Sequence, residues 1–260
     1  MTKTLAATLL AAASLAGAAR ADTMIGLTAD NHLVRMDSET RRASAPVRVT
    51  GVEGRLVGID QRPANGQLYG LTDAGQIVTI DPATGRATQV SRLSEPFESG
   101  GRAVVDFNPV ADRLRVMGAS GANLRINVET GMTTRDGTLK YAPGELAGTT
   151  PRIVAGAYTN SMQGATATML LTLDSVLGML NVQNPPNEGV QAPRGRLSMS
   201  VPATAAFDIV SVGPNMNRGY VLAGGALHLL DLSSGALTAV GNVANLPSAG
   251  VIDIAVMQGG

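Results

Sequence analysis

The chain has 260 residues, with 20 basic and 20 acidic side chains and no cysteine. The absence of Cys excludes disulfides, thiolate metal sites and Cys nucleophiles. The balanced charge gives no indication of nucleic acid or an anionic membrane as a partner.

The first 21 residues have the pattern of a secretory signal peptide. Lys3 is followed by an apolar Ala/Leu run and then by Ala19-Arg20-Ala21, a small-x-small cleavage signature. We expect cleavage before Asp22 and a periplasmic or extracellular location. No later stretch approaches the roughly 20 apolar residues that a spanning helix needs, so no membrane span is predicted.

A strand-like run ending in Asp/Asn-x-x-Ser/Thr-Gly recurs along the rest of the chain, as in "QIVTIDPATG" and "LHLLDLSSG". The Asp or Asn accepts hydrogen bonds from backbone N–H groups ahead of it, and the Gly takes the positive φ of a hairpin turn. Five copies, one of them with an insertion, follow each other at intervals of 44 to 54 residues. Their leading polar residues are Asp37, Asp81, Asn127, Asn181 and Asp231.

A second strand type runs in step with the first, as in "LVGIDQRP" and "AVVDFNP". It carries an Asp in four copies and a Gly in the fifth. These positions are Asp60, Asp106, Gly156, Asp208 and Asp253. Two further strands complete each unit, and four short strands every 40 to 50 residues are typical of a propeller blade.

The sequence therefore predicts an all-β fold, a five-bladed β-propeller formed by residues 22–260 as a single domain. The Asp-carrying strand of each unit is expected to line the central channel. The first strand-like segment after residue 21, "MIGLTA", is the second strand of a unit with no channel-lining strand before it, whereas the last, "GVIDIAVM", is a channel-lining strand. We expect this C-terminal strand to pair with the three N-terminal strands and close the ring, which removes free edges. A β-sandwich or a solenoid would also have short strands, but a solenoid needs capping repeats. A monomer is expected.

Several segments carry a family resemblance: "GIDQRPANGQLYGLTDAGQIVTIDPATG", "VVDFNPVADRLRV", "NLRINVETG" and "LKYAPGELAGTTPRIVAGAYTN". On these segments the chain resembles a family of bacterial exported proteins known as domain of unknown function 4394. The resemblance implies a propeller-like fold and no established activity.

The aspartates of the channel-lining strands are candidate metal ligands: Asp60, Asp106, Asp208 and Asp253. Ca²⁺ prefers such carboxylate oxygens, and a pair of carboxylates is also the machinery of glycoside hydrolysis. The structural alternative is that each Asp caps a turn, which predicts that each is bonded within its own blade.

The third blade is unusually polar, and its candidate ligand-binding residues are Asp106, Asn108, Asp112, Arg113, Arg115 and Arg125. Arg115 and Arg125 lie on neighbouring predicted strands, where two guanidinium groups could clamp a carboxylate or phosphate. The alternative is an internal network in which these arginines pair with Asp106 and Asp112.

Long loops precede the third, fourth and last channel-lining strands, and we expect them to gather at one mouth of the channel. The residues there that are best suited to contact a small ligand are Tyr141, Glu145, Tyr158 and Asn160.

The functional prediction is an exported binding or interaction module for a small or peptide-like ligand. The first alternative is a hydrolase or lyase that acts on a glycan or lactone through the channel carboxylates, where Ca²⁺ could take part. No cofactor is otherwise predicted. The second is a structural element of a cell-surface assembly. His32 and His228 stand outside any zinc-binding spacing, and no Gly-x-Ser-x-Gly motif is present.

Overall fold

The computed structural model describes residues 21–99 and 102–258, and the predicted signal peptide, apart from Ala21, lies outside these residues. The described chain forms 21 strands and one short 3-10 helix at Pro186–Glu188. None of its helices is long and apolar enough to cross a membrane.

The strands form five small sheets, which are the blades. Blade 1 begins with β1 (Thr23–Thr28), β2 (His32–Asp37) and β3 (Val47–Arg48). Blade 2 contains β4 (Leu56–Gln61), β5 (Leu68–Thr72), β6 (Gln76–Ile80) and β7 (Ala87–Arg92). Blade 3 contains β8 (Ala103–Asn108), β9 (Arg113–Gly118), β10 (Asn123–Ile126) and β11 (Thr133–Arg135).

The remaining strands complete the ring. Blade 4 contains β12 (Lys140–Tyr141), β13 (Ile153–Tyr158), β14 (Leu170–Asp174), β15 (Met179–Gln183) and β16 (Val190–Arg196). Blade 5 contains β17 (Ala206–Gly213), β18 (Met216–Ala223), β19 (Ala226–Leu230) and β20 (Leu237–Asn242). The last strand, β21 (Val251–Met257), joins blade 1.

Ring closure is as predicted, because β21 pairs antiparallel with β1 from Thr23↔Met257 to Leu27↔Asp253. The sheet order of blade 1 is β21-β1-β2-β3, so the C-terminal strand lies innermost and the three N-terminal strands follow. The five-bladed β-propeller is therefore confirmed, and a solenoid or sandwich is excluded.

The innermost strands surround the central channel in the order β21, β4, β8, β13 and β17, and each contacts the next. We call the side on which these strands begin the lower face and the side on which they end the upper face. In blades 2, 3 and 5, strands follow one another outward, whereas in blade 4 the short β12 adds a fifth strand at the outer edge.

Blades pack against each other through apolar faces. Between blades 2 and 3, the rings of Tyr69 and Phe107 meet edge to face with centroids 5.3 Å apart. Gly58 of β4 lies so close to Val105 of β8 that a Cβ there would overlap the valine side chain. The close approach of these innermost strands therefore requires glycine at position 58.

The repeated turns form as predicted in four of the five copies. The side chains of Asp37, Asp81, Asn127 and Asp231 each accept backbone N–H hydrogen bonds from the residues that follow. The prediction for Asn181 is wrong: it lies within β15 and is fully buried. The insertion moves that turn downstream to the segment around Pro186–Glu188.

Candidate functional site

The channel aspartates connect neighbouring blades. One carboxylate oxygen of each accepts a hydrogen bond from a backbone N–H of the next innermost strand around the ring. These contacts are Asp60 to Phe107 (2.7 Å), Asp106 to Tyr158 (2.9 Å), Asp208 to Val256, and Asp253 to Ile59 (2.9 Å). The expectation that each aspartate would bond only within its own blade is therefore wrong.

The reason lies in the geometry of the ring. Innermost strands of adjacent blades belong to different sheets, so N–H groups on their inner edges need acceptors other than a paired strand. The second oxygens of Asp60, Asp208 and Asp253 accept the N–H of the following residue. Blade 4 has Gly156 at this position, so among the described residues no carboxylate makes this connection from β13 to β17.

Burial dominates the electrostatics of these carboxyl groups. It raises the pKa of Asp208 to about 7 and that of Asp253 to about 8, while backbone N–H donors oppose the shift. The pKa values of Asp60 and Asp106 are also raised well above the usual range, first by burial and then by neighbouring carboxylates.

Three of the four aspartates come together as the metal prediction requires. One oxygen each from Asp60, Asp106 and Asp208 lies within 4.8 Å of the others, and Asp253 is not part of this group. Both oxygens of Asp60 and Asp208 already hold backbone N–H groups. The carboxylates thus have a structural role that requires no ion, and Ca²⁺ binding stays a prediction.

Side chains cross both ends of the channel. At the lower face, Arg102 reaches from the start of β8 to the carbonyl oxygens of Ala203, Ala205 and Ile252. At the upper face, the backbone N–H of Gln258 donates to the side-chain oxygen of Gln61 in blade 2. The side-chain amide of Gln258 donates to the carbonyl oxygen of Ser161, beyond β13 of blade 4. This geometry favours a structural role for the carboxylates over the open acid–base pair that glycoside hydrolysis needs.

The polar side chains of blade 3 form an internal network, with a different partner from the one predicted. Arg115 and Arg125 are cross-strand neighbours, and both bind Asp136, at 2.6 Å and 2.7 Å. Asp136 follows β11, and its side chain is 5 % exposed. The predicted pairing with Asp106 and Asp112 is wrong, because Asp106 faces the channel and Asp112 faces blade 2.

Asp112 joins two blades. Its carboxylate accepts hydrogen bonds from both Nε and Nη2 of Arg62 in blade 2, and the Nε bond is 2.8 Å long. This partner lowers the pKa of Asp112. Asn108 accepts the N–H groups of Val110 and Ala111 within its own turn, and Arg113 donates to carbonyl oxygens of the same turn.

The residues predicted to share one channel mouth lie apart. Tyr141 is in β12 at the outer edge of blade 4, where its hydroxyl donates to Asp174 at 2.8 Å. Tyr158 ends β13 near the upper face, and its buried hydroxyl accepts from Arg115. That grouping is therefore wrong, because long loops before a strand lie at the lower face and residues after it at the upper face. Of the nine predicted ligand-binding residues, Asn160 lines an open cleft of ligand size.

The cleft at Asn160 lies on the upper face between blades 4 and 5, and we call it the hairpin cleft. Its volume is about 810 Å³, within the usual range of about 300 to 1,000 Å³ for ligand pockets. Amides, hydroxyls and charged groups line it together with an apolar floor. The polar lining residues include Thr159, Asn160, Thr168, Arg194, Asn215, Asn217, Arg218, Asp231, Ser233 and Thr238.

A projecting hairpin forms one wall of this cleft. β17 and β18 have eight residues each, against seven or fewer in the two innermost strands of the other blades. The hairpin is fixed to blade 4 through Asn160, whose N–H donates to Asn217 Oδ1 at 2.7 Å and whose Nδ2 donates to Asn215 at 3.1 Å. The wall is therefore preorganised.

Sequence reasoning missed most of the cleft. The repeat did not single out this hairpin, whose second strand, β18, begins at Met216. The signal was present in "VGPNMNRGY", where Gly213-Pro214-Asn215 is a turn sequence. Arg194 and Asp231 reach the cleft only through the packing of two blades.

Two Bacteroides proteins of unknown function are among the solved structures that this chain matches. The chain is 16 % identical to one from Bacteroides thetaiotaomicron, with a TM-score of 0.52, and the match covers 92 % of this chain and 65 % of that one. For one from Bacteroides caccae the identity is 11 %, the TM-score 0.45, and the coverage 84 % and 72 %. The first likeness supports the fold alone.

No curated protein matches the chain. The family described as "Domain of unknown function (DUF4394)" matches residues 32–255. This range is most of the sequence and includes strands of all five blades, so the chain belongs to that family.

Proposed function

We propose that this propeller is a binding module whose ligand occupies the hairpin cleft. The observation that carries the proposal is the cleft itself, which combines ligand-sized volume with convergent polar groups and an apolar floor. Met169, Leu171 and Leu232 contribute to that floor.

The preorganised wall supports this role. The contacts of Asn160 with Asn215 and Asn217 fix the hairpin before any ligand arrives, and a fixed wall lowers the entropic cost of binding. Two arginines at the cleft keep donor groups exposed: Arg194 uses its Nε for the carbonyl of Leu232, and Arg218 uses one Nη for Asp22.

The location of this module follows from the signal-peptide pattern. We propose that the protein is exported and binds its ligand in the periplasm or outside the cell. A small or peptide-like ligand is consistent with the cleft volume.

Thr238 offers a way to test the cleft. It is exposed on β20 and lines the cleft, so Thr238→Trp should fill the cleft without disturbing the core. The matched control is Thr88→Trp, because Thr88 is exposed at the equivalent position of β7, second in the fourth strand of blade 2.

The measurement is a thermal-shift screen against sugars, mono- and dicarboxylic acids, inorganic phosphate and mixed short peptides. A ligand of the native state raises Tm by mass action. We expect at least one class to raise Tm in the wild type and in Thr88→Trp, and to have little effect in Thr238→Trp. No shift with any class, or a shift that Thr238→Trp retains, would contradict the proposal; the first outcome favours a structural role.

A further inference from the structure

The hairpin cleft contains an open strand edge. β18 pairs with β19 only from Gly219↔Leu230 onward, while Met216, Asn217 and Arg218 pair with β17 alone. In blade 2, by contrast, the first residue of the second strand, Leu68, pairs with both neighbours. The outer edge of β18 over these three residues therefore lacks a strand partner in the part of the chain that the structure describes.

This edge faces the cleft. Asn217, Arg218 and Gly219 line it, and so does the turn at residues 231–233, where the chain leaves β19. A backbone edge with unpaired N–H and C=O groups is the template that an added strand uses. The N–H and C=O groups of an extended peptide have the same spacing as those of this edge, whereas the polar groups of a sugar or a small acid do not.

The floor beneath the edge is apolar. Leu232 fills the space over Gly219, where a Cβ would lie only 2.7 Å from Leu232 Cδ2. Leu229 and Leu232 line the cleft, so an apolar side chain of an added strand would lie against these leucines.

One arginine of the cleft favours an acidic partner. Arg218 already forms an ion pair with Asp22 at 2.6 Å. The carboxylate of Asp231 accepts the hydroxyl and N–H of Ser233 and the N–H of Ser234, and these contacts lower its pKa to about 2. Arg194 is exposed and gives its Nε to the carbonyl of Leu232, and it forms no ion pair among the described residues, so its charge is available to an acidic side chain.

We propose that the ligand of the hairpin cleft is an extended peptide segment that adds as a strand to the open edge of β18, with an acidic side chain directed toward Arg194. This inference rests on the proposed function and names its ligand class.

The test begins with selection of binders from a pool of phage-displayed random heptapeptides, with the wild type as bait and Thr238→Trp as the counter-selection. The probe is then the most enriched heptapeptide, synthesised with a fluorescein label and measured by fluorescence polarisation. We expect an enriched Asp or Glu, and at least a tenfold loss of affinity when alternate backbone nitrogens of the peptide are methylated, because methylation removes the N–H donors.

Arg194→Glu supplies a second variant that leaves the core untouched, since Arg194 is exposed. It should weaken the selected peptide at least fivefold, whereas Arg196→Glu, on the same strand but outside the cleft, should not. Failure to enrich any peptide over the counter-selection, or affinity that backbone methylation leaves unchanged, overturns the inference. A sugar or acid found by thermal shift at the same cleft would then leave the proposed function standing.

Discussion

Asp136 compensates the positive charges of two arginines in blade 3. Arg115 has only 1 % of its side chain exposed, and a buried guanidinium needs a charged, hydrogen-bonding partner. Asp136 supplies it, and Arg125 binds the same carboxylate from the neighbouring strand. The side-chain oxygens of Asn123 and Asn187 accept two further hydrogen bonds from Arg115.

We therefore predict that Asp136→Asn strongly destabilises the protein. The substitution keeps the shape of the side chain and leaves the charge of Arg115 buried without compensation, which should cost about 3 to 5 kcal/mol of unfolding free energy. Urea denaturation of wild type and variant measures the difference.

Glu95→Gln is the matched control, because Glu95 pairs with Arg135 at 3.5 Å and both side chains are about half exposed. An exposed pair of this kind contributes about 0 to 1 kcal/mol. Equal stability of Asp136→Asn and Glu95→Gln would contradict the assigned role of Asp136.

The strand that closes the ring is the element on which the whole fold depends. β21 gives blade 1 its innermost strand and contributes buried Ile254, Ala255 and Val256 to the core. It also provides the N–H of Val256 to Asp208 and the carboxylate of Asp253 to Ile59.

We predict that a chain ending at Gly250 loses cooperative folding. Removal of β21 leaves β1 with a free inner edge and breaks two of the four connections made by the channel aspartates, and exposed edges promote association. Thermal unfolding followed by circular dichroism, with light scattering for aggregation, should show no sharp transition. A chain that ends at Gln258 keeps β21 and should unfold like the wild type; a sharp transition in both would show that closure is dispensable.

Strands and turns could be predicted from sequence because their causes are local. The Asp/Asn-x-x-Ser/Thr-Gly turn needs only its own residues, and its spacing indicates the number of blades. The partners of the channel aspartates could not be predicted, since they depend on how neighbouring innermost strands are staggered. The hairpin cleft was missed for the same reason: Asn160 and Asn217 are 57 residues apart and meet only when blades 4 and 5 pack.

At the scale of the whole molecule, the channel concentrates acidic groups from four blades around the axis. Asp60, Asp106, Asp208 and Asp253 face one another, and the charge of Arg102 opposes the rise in the pKa of Asp253. Protonation relieves the repulsion among these groups, so the stability of the ring is coupled to pH.

We predict that the free energy of unfolding falls as pH rises from 5.5 to 8.5. The folded-state pKa values of Asp208 and Asp253 are about 7 and about 8, above the ordinary value of 3.8. The folded state therefore binds protons more tightly than the unfolded state. That contribution is complete below about pH 4 and is lost as pH rises through 7 and 8, by up to about 1.4 kcal/mol per pH unit for each group. Urea denaturation at fixed pH values measures the slope.

Two variants test whether Asp208 contributes to this slope. Asp208→Asn cannot titrate and should reduce the slope. Asp231→Asn should leave the slope unchanged, because the pKa of Asp231, about 2, lies far below the pH range.

Excess Ca²⁺ tests the metal prediction in the same experiment. Since backbone N–H groups already hold both oxygens of Asp60 and Asp208, we expect Ca²⁺ and Mg²⁺ to leave the stability at pH 8.5 unchanged. A Ca²⁺-specific rise at pH 8.5, lost in Asp208→Asn, would instead show that the carboxylates bind calcium once they ionise.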